Sequence, residues 1–456
     1  MPISLEEFKS FFSGKFWKTL TKKTLIPLEE EVQKDAILND LYEKVSSRTY
    51  SPSPSRSFIV INKGNSVSRV VPIFQVQDSC FYFFCIKNLE PYISGNRTPN
   101  TYGGWVLGGI RREKEEQEAN YIGGSFREYE TPDGGTIVLD ESEEYAIESS
   151  FDPQSWRAQW GDFMSKLYIH SRAEHHGWAA EMDIANFYDS IRLDILERKI
   201  RDVVPGDKQI YVDFLFGFLK KINAVGVPQD EIADCSRILA NFYLSGYDQE
   251  MSNYCDQIGS KYFRYSDDQV IFAEDEGALR SLVCYSSLNL IRLGLSINQK
   301  KVRLMPKANF DNFYAFNWFI TYGDRKDGPI VDAMIDDYLQ NGGNIRNRGI
   351  SLLLRIINLL SPSVSKDKIA KILSEITRDS ILESPKFRVV HMKKIYDVLE
   401  DEDKEKFLEC LEEASERLIH NSFHYQILQF FSLIGRDPKL IKDRIAKLDK
   451  FYSSGL

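Results

Sequence analysis

The sequence predicts an α+β fold: an antiparallel sheet with helices over residues 56–330, preceded by a helical segment at 1–55 and followed by an all-α region at 331–456. Three observations predict it. Lys261–Ala273 sets two apolar, β-prone runs on either side of a short polar turn, which reads as a hairpin. Glu181–Ile191 reads as a strand running into a turn. From Val331 onward strands stop, and apolar stripes at helical spacing follow one another.

With 456 residues, 43% of them apolar, the chain has room for two or three domains with a sizeable core. Its 58 basic and 67 acidic residues leave a net charge of −9. A protein gripping a long nucleic acid usually shows a basic face, so either the basic residues are concentrated in one cleft or any nucleic acid held is short. Cys80, Cys85, Cys235, Cys255, Cys284 and Cys410 show no C-x-x-C spacing, and neither a zinc site nor a disulfide framework is expected. The opening Ser4–Phe8 is acidic and amphipathic, unlike a secretory signal. The longest apolar run, Cys80–Ile86, is too short to span a bilayer. The expectation is a soluble, cytoplasmic protein with no membrane partner.

Residues 4–46 read as helices with a polar break at Thr21–Thr24, and Ser51-Pro52-Ser53-Pro54-Ser55 marks the joint to the next unit. Phe58–Ile61, Val70–Phe74 and Cys80–Ile86 read as short β runs. Lys63 and Arg69 flank the first turn, either as solvated loop charges or as a pair closing on phosphate oxygens. Residues 95–150 are Gly-rich and then acidic, without the glycine spacing of a phosphate loop, and read as loops and turns. Trp156–His170 reads as a helix; His170, His175 and His176 lack metal-ligand spacing.

Asp207 looks like a helix N-cap, followed by a packing stripe of Tyr211, Phe214, Leu215, Phe218, Leu219 and Ile222. Glu276–Leu293 reads as a helix ended by Gly294. Aromatic-rich Phe310–Thr321 reads as a candidate strand pair. The stripes Ile350–Ile357 and Ile369–Ile376, punctuated by Ser361-Pro362, Ser384-Pro385 and Asp437-Pro438, look like a short HEAT-like solenoid. His420 and His424, one turn apart, read as helix surface.

The chemistry concentrates in three acids. Adjacent carboxylates such as Asp267 and Asp268 repel, so each is costly unless a cation or solvent compensates. Asp183 ends the strand of the second segment. Mg²⁺ is usually held by one or two carboxylates plus substrate phosphates. Two such ions about 3.5–4 Å apart clamp the attacking and leaving oxygens of a phosphoryl transfer.

Glu181–Ile191 and Lys261–Ala273 resemble motifs A and C of the reverse-transcriptase palm, in the right order. Gly226-Val227-Pro228-Gln229 between them is similar to motif B, Leu293–Val302 to motif D, and Ile61–Pro72 to a fingers segment; together the resemblance covers about residues 56–325. It implies fingers and palm, with Asp183, Asp267 and Asp268 catalytic and Asp183, Ile184, Asp267 and Asp268 holding two Mg²⁺ ions, Mn²⁺ being an alternative. It also implies nucleotide-binding roles for Lys63 and Arg69 (triphosphate), Tyr188 (a gate beneath the sugar), Gln229 and Lys301 (proton donor to pyrophosphate). For the helices after 331, a basic-aromatic thumb rivals the solenoid.

The departure is Asp230-Glu231 after Gln229, where the family has Gly. A divergent motif B with a helical C-terminal domain resembles the prokaryotic abortive-infection and defence-associated enzymes, some of which Tyr102-Gly103-Gly104-Trp105 also resembles. The resemblance implies an antiphage DNA polymerase acting on deoxynucleoside triphosphates. Its nucleic acid is its own protein-primed, untemplated DNA product or an RNA template, and a homo-oligomer through the helical domain is an option. The alternatives of other classes are a palm-type nucleotide cyclase, which would show Gly-Gly before the acids, and an inactive palm serving as a scaffold.

Overall fold

The computed structural model describes residues 3–22, 24–26, 28, 32–63, 66–105, 107, 126–130, 132, 136–140, 156–222, 224–229, 233–322, 327–341 and 349–453. Helices α1 (Leu5–Ser10), α2 (Gly14–Lys22) and α3 (Lys34–Ser46) lead into a hairpin of β1 (Ser57–Asn62) and β2 (Ser68–Ile73). Then come α4 (Val76–Ile93), the short β3 (Thr101–Tyr102), a hairpin of β4 (Phe126–Glu130) and β5 (Thr136–Asp140), and α5 (Trp156–Ser171).

Next are β6 (Trp178–Asp183), α6 (Phe187–Ser190), α7 (Leu193–Val203), α8 (Gln209–Lys221) and α9 (Ala233–Gln257). They lead to β7 (Lys261–Tyr265), β8 (Asp268–Ala273), α10 (Glu276–Arg292) and β9 (Arg303–Pro306). The described residues after β9 are helical: α11 (Lys307–Phe313), α12 (Phe316–Tyr322), α13 (Gly328–Asn341), α14 (Gly349–Leu359) and α15 (Lys366–Ile376). The last are α16 (Asp379–Leu382), α17 (Val389–Val398), α18 (Asp401–Arg417), α19 (Asn421–Ile434) and α20 (Lys439–Ser453).

The central sheet has the order β3-β7-β8-β6-β9, antiparallel except for the β3–β7 pair. β8 lies in its middle, and alternate residues serve two cores, as the two-residue period of a strand requires. Tyr262, Ile271 and Ala273 join the large cluster built with α4, α8, α9 and α10. Phe263, Val270 and Phe272 face Phe163 and Leu167 of α5 and Phe310 of α11. A third cluster unites the helices from α12 onward with Ile59 and Ile73 of the β1–β2 hairpin. Gly294, at φ +77°, ends the helix before it.

Four sequence expectations are corrected. Cys80–Ile86 is not a strand but the middle of α4, every residue of it buried. A continuous apolar run suits a buried strand or a buried helix equally, and α4 is enclosed by α2, α3, α8 and α9. Phe310–Thr321 forms α11 and α12, whose aromatics pack behind the sheet. Asp207 sits in a 3₁₀ turn, and Lys208 takes the cap of α8. His420 and His424 are fully buried, the ring nitrogens of His424 lying 2.8 Å from the Ser415 carbonyl and 3.0 Å from that of His420. Among the described residues no helix is long and apolar enough to cross a membrane.

Candidate active site

β6 and β8 pair so that Asp183 is the register partner of Asp268, putting both acids at one end of the sheet. The β7–β8 turn is two residues, Ser266 and Asp267, with Ser266 at φ +55°. Turns this short need a positive φ for their twist to match the strands. Behind the turn, the Ser266 amide donates to the Tyr102 carbonyl at 3.1 Å and the Arg264 amide to Asn100 at 3.0 Å. Gly103, at φ +108°, allows this approach: a Cβ there would stand 2.7 Å from the Ser266 nitrogen. Both Gly103 and Gly104 donate to the buried Gln159 Oε1, at 3.0 and 3.1 Å. The Tyr102–Trp105 segment is thus a brace for the acid-bearing turn.

Arg264 is the residue supporting the acid-bearing turn that sequence reasoning missed. Its guanidinium donates twice to Asp248 (2.7 and 2.6 Å), once to Asn241 Oδ1 (2.8 Å) and once to the Ser266 carbonyl (2.7 Å). It ties the turn to α9. The available signal was an arginine between Phe263 and Tyr265 in a strand, a place where an unpaired charge would be very costly.

Asp183 is 6% exposed. Lys301 Nζ meets its Oδ1 at 2.8 Å and Asn298 Nδ2 its Oδ2 at 3.2 Å. Burial, and then the Asp183 carboxylate, push the Asp267 carboxyl above the usual range, against the pull of Lys301 and Arg69. Burial would lower the Lys301 ammonium, but its hydrogen bond to Asp183 and the charges of Asp183, Asp268 and Asp267 raise it instead. The side chain of Ile184 is buried, so only its main chain can face an ion; its amide donates to the Asp267 carbonyl at 3.2 Å.

Across from the acids stands the β1–β2 hairpin. Lys63 Nζ reaches Asn186 Oδ1 at 3.4 Å. Burial and the neighbouring Arg69 lower its pKa, Lys301 adds to this, and Asp189 and Asp267 oppose it. Arg69 Nε is buried with no hydrogen-bond partner among the described residues. The Tyr188 hydroxyl lies 3.3 Å from Ser266 Oγ, beside the turn. Its carbonyl accepts from the Val227 amide at 3.0 Å, and a Cβ on Gly226 would come within 2.2 Å of that oxygen. Gln229 is half-buried at the end of this loop; Asp230 and Glu231 lie outside the described residues. Arg237, seven residues past Asp230, pairs with Asp234 at 2.6 Å.

Among the described residues no three acid, His or Cys side chains are gathered as a metal-ligand group, and Asp183 is turned onto Lys301 and Asn298. The residues nevertheless fit Mg²⁺: the donors are all oxygen. Mutual repulsion of Asp183 and Asp267 is also what an added cation would relieve. His170, His175 and His176 neighbour one another but form no metal group either; burial pushes His176 down to about 4.

Comparison with known proteins finds one family match. Residues 142–313 match the family described as reverse transcriptase (RNA-dependent DNA polymerase), a range that contains Asp183, Tyr188, Gln229, Asp267, Asp268 and Lys301 but not Lys63 or Arg69. No curated protein matches the sequence. Among solved structures, apo telomerase from Candida tropicalis aligns at 11% identity and a TM-score of 0.34, over 90% of this chain and 74% of that one. The chain carries a reverse transcriptase domain, the domain of a nucleotidyl-transferring polymerase.

Proposed function

We propose that the chain is an antiphage-defence DNA polymerase that adds deoxynucleotides by two-metal transfer, without a template and starting on its own side chain. The observation carrying nucleotidyl transfer is the pairing of Asp183 with Asp268, with Asp267 in the adjoining turn and Lys63 and Arg69 opposite. Asp183, Asp267, Asp268 and the main chain of Ile184 would hold Mg²⁺, which when bound offsets the charge developing on the transferred phosphoryl group.

The chain's own residues do the rest. Lys63 and Arg69 bind the triphosphate, and the unpartnered Arg69 Nε is a donor suited to a phosphate oxygen. Tyr188 fills the space beneath the sugar and excludes a 2′-hydroxyl by volume. Gln229 follows the loop pinned to Tyr188 and contacts the nucleotide. Lys301, kept charged by the surrounding acids, carries a proton at Nζ for the departing pyrophosphate.

Self-priming rests on the net charge of −9 and on Asp230-Glu231. At an effective dielectric of about 20, a unit charge roughly 6 Å from a phosphate costs about 2–3 kcal/mol before screening. The helices from 331 on are read as HEAT-like and the setting as the cytoplasm. The second reading, RNA-templated copying, is favoured by the matched family's description as RNA-dependent DNA polymerase.

The test is to incubate the purified protein with Mg²⁺ and single labelled deoxynucleotides, with and without nuclease treatment. Label that resists nuclease pretreatment and migrates with the protein supports self-priming, and Asp230→Gly should shift synthesis toward a supplied primer-template. Faithful extension of an annealed primer with no protein-linked DNA leaves the templated enzyme. No incorporation at all leaves the scaffold.

A further inference from the structure

The β1–β2 hairpin is a separate two-stranded sheet. Helices distant in sequence cover both of its faces. Ile59 and Ile73 belong to the core of the C-terminal helices, while Val60, on the other face, packs with Leu448 and Tyr452 of α20. Along the β1 edge, the Val60 amide donates to Asn421 Oδ1 at 2.6 Å and Asn421 Nδ2 donates to the Phe58 carbonyl at 3.2 Å. The fully buried Asn421 carboxamide thus pairs the edge as a neighbouring strand would.

Nearer the turn, Asn62 and Ser68 are register partners. Asn62 Nδ2 donates to Glu383 Oε2 at 2.6 Å, and Ser68 Oγ lies 3.2 Å from His420 Nε2. Glu383 Oε1 and His420 Nδ1 are 3.0 Å apart, which closes the set. Lys63 and Arg69 are the next residues in sequence. Successive side chains of a strand point to opposite faces, so anchoring Asn62 and Ser68 aims Lys63 and Arg69 toward the acids.

We propose that Asn421, Glu383 and His420 are positioning residues for the triphosphate-binding pair, so that nucleotide affinity is set from the C-terminal helices. This rests on the polymerase reading and adds to it a control point far from the chemistry. Losing the anchor should loosen the hairpin, and so weaken ground-state binding of the triphosphate while the acids stay in place.

The experiment compares wild type with Asn421→Ala, Asn421→Asp and Glu383→Gln in the full chain, reading hydrogen exchange alongside single-nucleotide kinetics. Asn421→Asp keeps the acceptor for Val60 and loses the donor to Phe58. Expected in Asn421→Ala and Glu383→Gln are faster exchange at 57–62 and 68–73, unchanged exchange at 261–273, a KM for deoxynucleotide raised about tenfold and kcat within about twofold; Asn421→Asp, which also buries a carboxylate beside Asp449, loosens the hairpin at least as much as Asn421→Ala. Unchanged hairpin exchange and KM overturn the proposal. So does a fall in kcat with faster exchange at 261–273, which marks general destabilisation, and so does a loosened hairpin with an unmoved KM. A wild type that uses no nucleotide is a failure of the polymerase reading instead, and hairpin exchange in the variants still decides whether the anchor exists.

Discussion

Arg264 and Asp248 form a two-pronged ion pair in which neither side chain is exposed, and the same guanidinium holds the carbonyl of Ser266, beside Asp267. Removing one partner of a buried pair leaves an uncompensated charge and costs about 3–5 kcal/mol. Arg264→Met should therefore lower the unfolding free energy by that order. Adding Asp248→Leu should recover part of it, since an apolar pair of similar volume is often tolerated but the buried Tyr262 hydroxyl then loses its acceptor. Activity should stay low in the double variant, because the Ser266 carbonyl then loses the guanidinium that holds it. Denaturant titration with incorporation assays on all three proteins reads both effects; recovery of activity with stability would show that Arg264 acts only on stability.

Asp267→Ala with Asp268→Ala should abolish incorporation and leave the melting temperature equal or higher. The Asp267 carboxyl is pushed up by burial and by Asp183, so its ionised form is no stabilising element. Incorporation assays beside thermal melts check it, and residual polymerisation in the double variant would remove these acids from the mechanism.

Tyr188→Ala should raise ribonucleotide use relative to deoxyribonucleotide use. Gly226→Ala reaches Tyr188, the proposed gate, from behind, since its Cβ would press within 2.2 Å of the Tyr188 carbonyl and force that backbone to move. Both variants should shift the selectivity ratio, measured by competing labelled ribo- and deoxynucleotides. A shift in Tyr188→Ala alone would mean the Gly226 contact is absorbed elsewhere.

Stability should fall with acid in a way traceable to His391. Burial, with the nearby Arg388 adding to it, pushes its pKa down to about 3, and its Nδ1 accepts from the Arg388 amide at 3.0 Å. The folded pKa lies below the unfolded value of about 6.5, so between them the unfolded chain binds the extra proton. Stability therefore drops as pH falls through this window, by up to about 1.4 kcal/mol per pH unit from this one group. His391→Gln retains an acceptor at the helix start and should flatten the slope between pH 6 and 4. Chemical denaturation at a series of pH values measures it, and an identical slope in the variant would place the acid sensitivity elsewhere.

The acid-bearing hairpin and the strand before Asp183 were legible because alternation, a polar turn and adjacent charges are local signals. Cys80–Ile86 was not, since uniform apolarity has no period that separates strand from helix. His420 was misread for a different reason. Its hydrogen-bond partners Glu383 and Ser68 lie 37 and 352 residues away, which no local pattern reports. Arg264 combined both difficulties: a charge in an apolar strand was visible, but Asp248 on another element was not marked as its partner.

The distance between the β1–β2 hairpin and its cover also orders events during synthesis. Val60 and Asn421 are 361 residues apart. At roughly 5–20 residues per second, a ribosome needs about 20–70 s to travel between them. Through that interval the hairpin has emerged with its β1 edge and its Val60 face uncovered, an invitation to wrong strand pairing of the kind chaperones guard against. The end of the site that carries Lys63 and Arg69 is then the last part to be assembled, and the proposed nucleotide site is complete only once the C-terminal helices have been made.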